Sequence, residues 1–486
     1  MLKDYQEKSY FLRLIGKNSL RLFFINILPA FSSFAVGVLV SRRLGVSSFG
    51  EYVTAYNYYN MFYFLPLLGL GVFIIRDLAK DRALVNKYAV NVGFISLVAS
   101  AACILLICSL ALLLKYDSLT RVAIYIISFS IFPNSLILLT QAIFIALGKI
   151  RYAFIAALAE VIIKVILSFA VLTSGSGIKS LMTVQVLSKF LGLGISFYFI
   201  LRCTGSFKLK MDFVFCRKIW QEVALTFVLI TMLNNIFTKV DILTLSGIRQ
   251  MSQVGLYSPA SKFVWLGYLF IYATTTALLP VVSRLHAASR EMFETGSREF
   301  LKYFTAILVP FLIIGFLLSD WFIPACFGER FIDSILAFKM LIWSAFFLGI
   351  FSFCDVVLIV ANRQRQILYT LGFSLVLSFI LNIYLAYKLG YLGTCLAVVL
   401  AMAIFATLEL FLVSRFIKLH LTAVLGRPLL GLAATGLFLY LSPGGIGRPL
   451  LVMLSLVIYF LVLFVLRTFT KNDLLFFKRL YREGLA

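Results

Sequence analysis

The sequence predicts an all-α polytopic membrane protein with about fourteen transmembrane helices. Hydrophobic residues make up 62% of the 486 residues and charged residues only 13%, whereas a soluble domain is ~45–50% apolar and ~25% charged. The apolar residues fall in blocks of roughly 20, the length that a helix needs to cross the hydrocarbon core. A membrane β-barrel would instead show alternating strands of about ten residues, so the blocks indicate helices.

Charged residues or Gly and Pro separate the apolar blocks from one another. The first block follows a basic N-terminus, and because it is long and lacks a small-residue cleavage site, it is predicted to be an uncleaved span. The predicted spans lie near 20–41, 52–75, 88–114, 122–147, 152–173, 179–201, 221–247, 253–282, 301–319, 335–361, 366–387, 390–414, 425–441 and 449–467. The longest connections are predicted near 202–220 and 283–300 and in the C-terminal tail.

The basic residues predict the topology of these spans. The formal net charge is +24, but the Lys and Arg residues are distributed between the spans and form no stripe or nucleic-acid motif, so a nucleic-acid partner is not expected. If the N-terminus is cytoplasmic, 30 of the 44 basic residues lie in cytoplasmic segments and 9 in external ones. This ratio follows the positive-inside rule and predicts that both termini are cytoplasmic.

Cysteine and histidine usage argues against metal and redox chemistry. The seven cysteines form no CxxC, and the two histidines, His286 and His420, lie in connecting segments. The pattern matches neither a disulfide framework nor a metal site, and no cofactor is predicted. A membrane polymerase or glycosyltransferase would need a sizeable extramembrane segment or an acid-and-metal cluster. The chain has neither, which favours a transporter over an enzyme.

An internal repeat predicts two lobes. The segment 44–52 (LGVSSFGEY) resembles 246–257 (SGIRQMSQVGLY) at an offset of 205, with Gly50 aligned to Gly255. The segment 146–154 (ALGKIRYAF) resembles 360–368 (VANRQRQIL) at an offset of 214, with Lys149 aligned to Arg363. These offsets predict parallel six-helix lobes at 1–201 and 221–414, an inter-lobe linker at 202–220, and two extra helices with a cytoplasmic tail at 415–486. Transporters built from repeats bind substrate between the halves.

Several motifs resemble one transporter family. The segments SRRLGVSSFGEY (41–52), GLGVFIIRDLAKDR (69–82) and VGLYSPASKF (254–263), with the basic turns after spans four and ten, look like the O-antigen and exopolysaccharide flippases of the multidrug/oligosaccharidyl-lipid/polysaccharide exporter superfamily. The resemblance implies a V-shaped fold in the bacterial inner membrane. It also implies alternating-access transfer of an undecaprenyl-pyrophosphate-linked oligosaccharide, an O-antigen or exopolysaccharide repeat unit, from the cytoplasmic to the periplasmic leaflet.

The same resemblance implies further partners and leaves one alternative open. The last two helices are expected to form a groove for the lipid tail, as in the related lipid II flippase. Membrane lipids and other polysaccharide-assembly proteins are the expected partners, and either H⁺ or Na⁺ could drive the cycle. The alternative is an ion-coupled drug or metabolite antiporter of the same superfamily, for which twelve helices would be typical.

A diphosphate crossing hydrocarbon needs positive charges, so each intramembrane cation is a candidate for a cationic central cavity. Lys239 and Lys262 are predicted at similar depth on spans seven and eight, about 12–14 Å below the outer surface. Arg residues suit bidentate phosphate contacts, so two external ones could attract the diphosphate at the outer mouth. The predicted substrate-binding residues are Arg42, Arg43, Lys239, Lys262, Lys164, Lys189 and Arg76, the last for substrate access from the cytoplasm.

Acidic and aromatic residues inside the spans complete the predicted site. Asp241 is expected to pair with or orient Lys262, and Glu160 can pair with Lys164 along one helix face. These two acids, with Asp355 and Glu409, are the predicted coupling or gating residues. Aromatic rings stack on sugars, so Tyr56, Tyr59 and Tyr63 on span two are predicted sugar contacts.

The predicted cationic site has a direct test. Replacing Lys262 or Arg42 with Ala should stop the appearance of surface polysaccharide, because the diphosphate would lose a compensating charge. Membrane insertion, measured by fractionation, should be intact. Normal surface polysaccharide in both variants would remove these two residues from the site.

Overall fold

The chain folds into helices that are joined by short turns. The computed structural model describes residues 2–67, 69–204, 211–222, 225–442 and 447–469, and all regular structure in these ranges is helical. Parts of the predicted linker (205–210) and of the C-terminal tail (470–486) lie outside the described residues. The helices are α1 Leu2–Phe62, α2 Leu70–Lys80, α3 Val85–Leu113, α4 Ser118–Ser128, α5 Ile131–Ala146, α6 Ile150–Thr173, α7 Ile178–Thr204, α8 Phe213–Glu222, α9 Leu225–Phe237, α10 Val240–Ile248, α11 Met251–Ala288, α12 Arg290–Phe327, α13 Ser334–Val360, α14 Gln364–Leu389, α15 Tyr391–Ser414, α16 Leu421–Val424, α17 Gly426–Leu441 and α18 Arg448–Val465.

The helices confirm a multi-pass membrane protein. Within the described ranges, 11 helical stretches are long and apolar enough to cross a membrane, or 12 if the bent pair α9–α10 is one span. The predicted count of about fourteen differs from this for two reasons. Residues 20–62 form one helical stretch where the sequence predicts two spans, and α17, with 16 residues, is short for a span. The count of about fourteen therefore stays a prediction.

Two predicted spans contain breaks that the apolar pattern does not indicate, and a bend lies in the predicted connection between the first two spans. α1 bends at Gly45, whose φ of 82° is accessible mainly to glycine. The predicted second span is interrupted, because α1 ends at Phe62 and the chain continues as α2 only after a turn that contains Pro66 and Gly69. The fourth span is divided at Phe129–Ser130, because Pro133 has no N–H to donate to the carbonyl of Phe129.

The predicted loop at 283–300 is wrong, since most of this segment is helical. α11 continues to Ala288 and α12 begins at Arg290, with the Ser289 side chain accepting a hydrogen bond from the Met292 N–H at 3.1 Å. This polar N-cap stabilises the new helix start. Polar residues predict exposure to water. A loop and a helix that extends beyond the bilayer are both exposed to water, so polarity does not distinguish them.

Two compact units divide the described chain. The first comprises Met1–Gly255 and the second Leu256–Ala486. This division falls within α11 and not in the predicted linker, so α8, α9 and α10 belong to the first unit; the predicted lobe boundaries, which follow the repeat, stay a prediction.

The first unit has an apolar core near its predicted cytoplasmic end. Residues of α2, α3, α5 and α6 fill this core, among them Ile74, Val92, Ile143 and Ala153, all buried. α1 packs along α6, and α6 along α7, which brings three long helices together beside this core. This arrangement allows side chains of α1, α6 and α7 to meet inside the unit.

The second unit is organised around α13, the most deeply buried of its spans. α13 packs between α12 and α15, and α14 packs on α15. The hairpin α17–α18 packs on α12, where the Tyr459 hydroxyl donates to the carbonyl of Ala306 at 3.0 Å. A Cβ at Gly431 would lie 2.9 Å from the Tyr459 ring, so the hairpin helices approach closely.

The turns of the second repeat pair share one backbone geometry. Gly148 and Asn362 both have left-handed φ values, 69° and 57°, directly before Lys149 and Arg363. The N–H of Lys149 donates to the carbonyl of Phe144 at 2.8 Å, and the N–H of Arg363 donates to that of Leu358 at 2.8 Å. The sequence alignment of these two segments is therefore matched by the structure of their turns.

The start of α8 is attached to α3 by several contacts. The Asp212 carboxylate lies 2.8 Å from the Lys87 ammonium and accepts a hydrogen bond from the N–H of Phe215 at 2.9 Å. Asn91 Oδ1 accepts from the N–H of Asp212 at 2.7 Å, and the Phe215 ring packs edge-on against Tyr88. The Lys87 ammonium and the Phe215 N–H hold the pKa of Asp212 below its ordinary value.

Removing this attachment should loosen the start of α8. In Asp212→Ala, α8 loses both its N-terminal cap and its ion pair with Lys87, so limited proteolysis within residues 202–220 should become several-fold faster. Because the folded-state pKa of Asp212 is lowered, the ion pair is present above the unfolded pKa and is lost only as pH falls through the folded value. Wild-type cleavage should therefore be constant between about pH 5 and 8.

Asp81→Ala is the matched control for this experiment. Asp81 also caps a short helical turn through the N–H of Ala83, at 2.9 Å, but it is not paired with α8. Equal cleavage rates in the Asp81 and Asp212 variants would mean that the contacts with α3 do not hold the linker.

Candidate functional site

A row of tyrosines follows one face of α1 beyond its bend. Tyr52, Tyr56, Tyr59 and Tyr63 are spaced by four, three and four residues, which places them on the same face. Successive ring centroids are 5.8, 5.7 and 5.6 Å apart. Tyr52 and Tyr59 are buried, and the other two are partly exposed. The row includes the three tyrosines that the sequence predicts as sugar contacts.

Lys164 of α6 lies against this tyrosine row. Its ammonium donates to the Tyr56 hydroxyl at 3.3 Å and lies 5.3 Å from the centroid of the Tyr56 ring. Only 4% of Lys164 is exposed. The partner of this buried cation is thus a neutral phenol and its π face.

Glu160 pairs with Lys189 of α7 and not with Lys164, the neighbour four residues along α6. Glu160 Oε1 lies 2.8 Å from Lys189 Nζ. A Cβ at Gly192 would lie 3.0 Å from Glu160 Oε2, so this glycine leaves room for the carboxylate beside Lys189. Because the pair neutralises itself, the three charged groups leave one net positive charge, which belongs to Lys164.

The predicted residues Lys239 and Asp241 lie at the break between α9 and α10. These two helices bend by 43°. The Asn57 side chain donates to the carbonyl of Lys239 at 3.1 Å, and Asp241 Oδ1 accepts from the N–H of Ile242 at 2.8 Å. Lys239 and Asp241 are half-buried. A discontinuous helix with charged residues at its break is typical of substrate and ion sites in transporters.

The remaining predicted cations lie apart from this cluster along the chain. Arg42 and Arg43 are exposed on α1 just before the bend, and Lys262 is half-buried on α11 in the second unit. Its predicted pairing with Asp241 stays a prediction. Arg76 Nε lies 2.7 Å from Asp77 Oδ1, and the Arg76 guanidinium is 4.8 Å from the Phe73 ring centroid. Hydrogen bonds from Arg76 and Tyr88 keep the pKa of Asp77 below its ordinary value.

Asp355 and Glu409 meet inside the second unit, on α13 and α15. Their carboxyl groups are near enough to interact electrostatically, since α13 packs directly on α15, and the Thr370 hydroxyl donates to Glu409 Oε1 at 3.2 Å. Among the described residues, no N–H or O–H group donates to Asp355 Oδ1 or Glu409 Oε2. Two neighbouring carboxyl groups that are withdrawn from water cannot both be ionised without a large electrostatic cost. One proton shared between them removes this cost.

Several neighbours of the site were not predicted. Asn57, Gly192 and Thr370 contact Lys239, Glu160 and Glu409, respectively. Asn57 and Thr370 are uncharged polar residues inside predicted spans, and this residue type at such positions is the sequence signal that could identify them. Gly192 has no such signal, because its role depends on the neighbouring helix. In the described part of the chain, no group of three or more potential ligand side chains could hold a metal ion.

Solved structures with the same fold are transport proteins. A structure described as the lipid II flippase MurJ in an inward closed conformation has a TM-score of 0.67 at 19% identity and covers 96% of this chain and 99% of its own. An inward-facing multidrug transporter of the MATE family has a TM-score of 0.66 at 17% identity, covering 82% and 97%. A transporter from Pyrococcus furiosus, described as having a binding pocket of reversed polarity, has a TM-score of 0.59 at 15% identity, covering 84% and 96%.

At these identities the likeness concerns the fold alone, and the family rests on the sequence. Comparison with curated protein sequences gives no match. The family model described as polysaccharide biosynthesis protein matches residues 15–286, which is more than half of the 486 residues. The chain therefore belongs to the polysaccharide biosynthesis protein family.

Proposed function

We propose that the protein flips an undecaprenyl-pyrophosphate-linked oligosaccharide, an O-antigen or exopolysaccharide repeat unit, from the cytoplasmic to the periplasmic leaflet of the bacterial inner membrane. The observation that carries this proposal is the buried Lys164 ammonium beside the tyrosine row. A buried ammonium that faces a neutral phenol has lost most of its hydration without gaining a full counter-charge. An anionic ligand would supply that charge.

The chemistry of the cluster fits a phosphorylated sugar. Lys164 and Tyr56 supply adjacent hydrogen-bond donors for a phosphate oxygen. Tyr59 and Tyr63 continue the row with ring faces that can stack on sugar. The family's role in polysaccharide biosynthesis and the flipping of lipid II by a protein of the same fold support this substrate class.

Each of the other predicted cations has a place in the proposed path. Arg76 would meet the diphosphate at the cytoplasmic surface, and Lys239 and Lys262 would each offer it a positive charge closer to the outer leaflet. Arg42 and Arg43, exposed on α1, would receive the diphosphate at the outer mouth. Lys189 is held by Glu160 and becomes available to an anion only when that carboxylate moves or takes a proton.

Asp355 and Glu409 are proposed to couple transport to protons. One proton on the two neighbouring carboxyl groups avoids repulsion between them, whereas loss of that proton leaves two negative charges close together. A change in the spacing of α13 and α15 would therefore change proton affinity. Conversely, the same pair would suit an ion-coupled antiporter, and a multidrug transporter of the MATE family shares the fold, so drug or metabolite export is the second candidate.

Lys164→Met tests the substrate site, because Met preserves the length and removes the charge. We expect flipping of a fluorescent lipid-linked oligosaccharide in proteoliposomes to fall about 10- to 100-fold, since a charge-assisted hydrogen bond is worth about 1.5–3 kcal/mol. Thermal stability should be unchanged or higher, because a buried charge is removed.

Lys339→Met serves as the control, since Lys339 lies on a spanning helix but pairs with Asp320 at 2.7 Å. It should flip lipid at nearly the wild-type rate. If Lys164→Met flips as fast as this control, Lys164 does not bind the diphosphate. If the wild type exports drugs and flips no lipid-linked sugar, the second candidate replaces the first.

Asp355→Asn and Glu409→Gln test the proton coupling. An inward- or outward-directed pH gradient should change the wild-type flipping rate several-fold, and each amide variant should respond much less, because it cannot exchange the shared proton. The measurement is flipping in proteoliposomes with and without the gradient, at fixed Na⁺. Asp320→Asn is the control and should keep the response. A wild-type rate that depends on Na⁺ but not on the pH gradient would contradict proton coupling.

A further inference from the structure

The two glycines that the repeat aligns, Gly50 and Gly255, are in direct contact in the first unit. A Cβ at Gly50 would lie 2.8 Å from the carbonyl carbon of Met251 and 2.9 Å from the N atom of Gly255. A Cβ at Gly255 would lie 2.9 Å from the carbonyl carbon of Val46. In both directions the nearest atoms belong to the backbone, which cannot rotate away as a side chain can. Only glycine permits this approach of α1 to the first turn of α11.

The contact is reciprocal, as expected for two copies of one motif. Gly50 touches the residue four positions before Gly255, and Gly255 touches the residue four positions before Gly50. A helix pair that packs backbone to backbone through glycines depends on close dispersion contacts and not on side-chain interdigitation. Such a contact weakens steeply with small separations.

Polar contacts continue from the glycines along α1. The Thr54 hydroxyl lies 3.6 Å from Met251 Sδ, and Tyr58 donates to the Tyr116 hydroxyl at 3.2 Å. Tyr116 in turn lies 2.8 Å from the Ser246 hydroxyl of α10. Tyr58, Tyr116 and Ser246 are all buried. The corner between α10 and α11 is thus attached to α1 over more than two helical turns.

The position of this contact links it to transport. The corner around 249–250 and the bend at Gly45 both lie at the end that the charge distribution predicts to be periplasmic. α1 belongs to the first predicted repeat, and α10 and α11 to the second. Alternating access requires elements of the two repeats to separate at one surface at a time.

We propose that Gly50 and Gly255 form an outer joint, defined by Val46, Gly50, Met251 and Gly255, which closes and reopens in each transport cycle. This inference rests on the proposed function for the identity of the substrate, but not for the joint itself. The glycines act as positioning residues: they let the helices meet closely enough for Thr54 and the Tyr58–Tyr116–Ser246 hydrogen bonds to engage.

Gly50→Ala and Gly255→Ala test the joint. In an isolated helix either change would be favourable by about 0.5–1 kcal/mol, so a loss must come from the contact. The readout is a crosslink between Thr54→Cys and Met251→Cys with a short reducible thiol crosslinker, quantified by mass spectrometry of the joined peptides. The single Cys variants report background from the native cysteines. We expect each Gly→Ala change to lower the crosslinking yield about tenfold, as an interhelical contact is lost.

Gly194→Ala is the matched control. Gly194 also lies within a helix, α7, but a Cβ there meets nothing within 4 Å, so the crosslinking yield should match the unaltered protein. In the second arm, the crosslinked Thr54→Cys/Met251→Cys protein should stop flipping and recover when the crosslinker is reduced. Normal yields in both Gly→Ala variants, or wild-type flipping by the crosslinked protein, would overturn the joint.

The crosslinking arm needs no substrate. If the wild type flips no lipid-linked oligosaccharide, the proposed function fails, while the yields in the Gly50, Gly255 and Gly194 variants still decide whether the joint exists.

Discussion

A charged or unpaired polar group inside a membrane helix bundle has to find its partner within the protein, because hydrocarbon offers none. This constraint determines where α1, α6 and α7 meet. Glu160 and Lys189 neutralise each other across α6 and α7. Lys164 instead rests on the hydroxyl and ring of Tyr56, which compensates its charge only in part. Lys164 is therefore the group at which an anion is proposed to bind.

The same constraint explains how spans can break inside the bilayer. Each break frees backbone groups that would be costly to leave unpaired in hydrocarbon. At the end of α1, Asn134 donates to the carbonyl of Tyr63 at 3.3 Å, and at the break before α10, Asn57 donates to the carbonyl of Lys239. These asparagines allow the backbone to change direction beside the tyrosine row and the charged break. Discontinuous helices thus offer backbone N–H and carbonyl groups at a depth where continuous helices would present only side chains.

The two proposed sites, one in each unit, differ in the sign of their charged groups. The first has the net positive group at Lys164, and the second has the facing carboxyls of Asp355 and Glu409. Binding of an anion beside Lys164 and of a proton between the two carboxyl groups is in each case favoured by the opposite charge. Because the two proposed sites consist of different residues, substrate and proton need not compete for the same ligands, and the proposed coupling would act through helix movement.

Hydropathy and charge distribution determined much of this protein without a structure. Blocks of about 20 apolar residues are sufficient to predict an all-helical membrane protein, and intramembrane charges are rare enough that Lys164, Glu160 and Lys189 could be selected by type alone. The repeat was also visible, since Gly50 aligns with Gly255 and Lys149 with Arg363. What these signals share is that they depend on composition and on spacing along one helix.

Only the tertiary structure decided which of these residues meet. Spacing along α6 allowed Glu160 to pair with Lys164, but α7 brings Lys189 closer to the carboxylate and leaves Lys164 to Tyr56. The proximity of Asp355 to Glu409, the approach of Gly50 to Gly255 and the role of Gly192 likewise join residues far apart in the chain. The sequence determines which residues share a face of one helix, whereas contacts between residues of different helices depend on how those faces pack together.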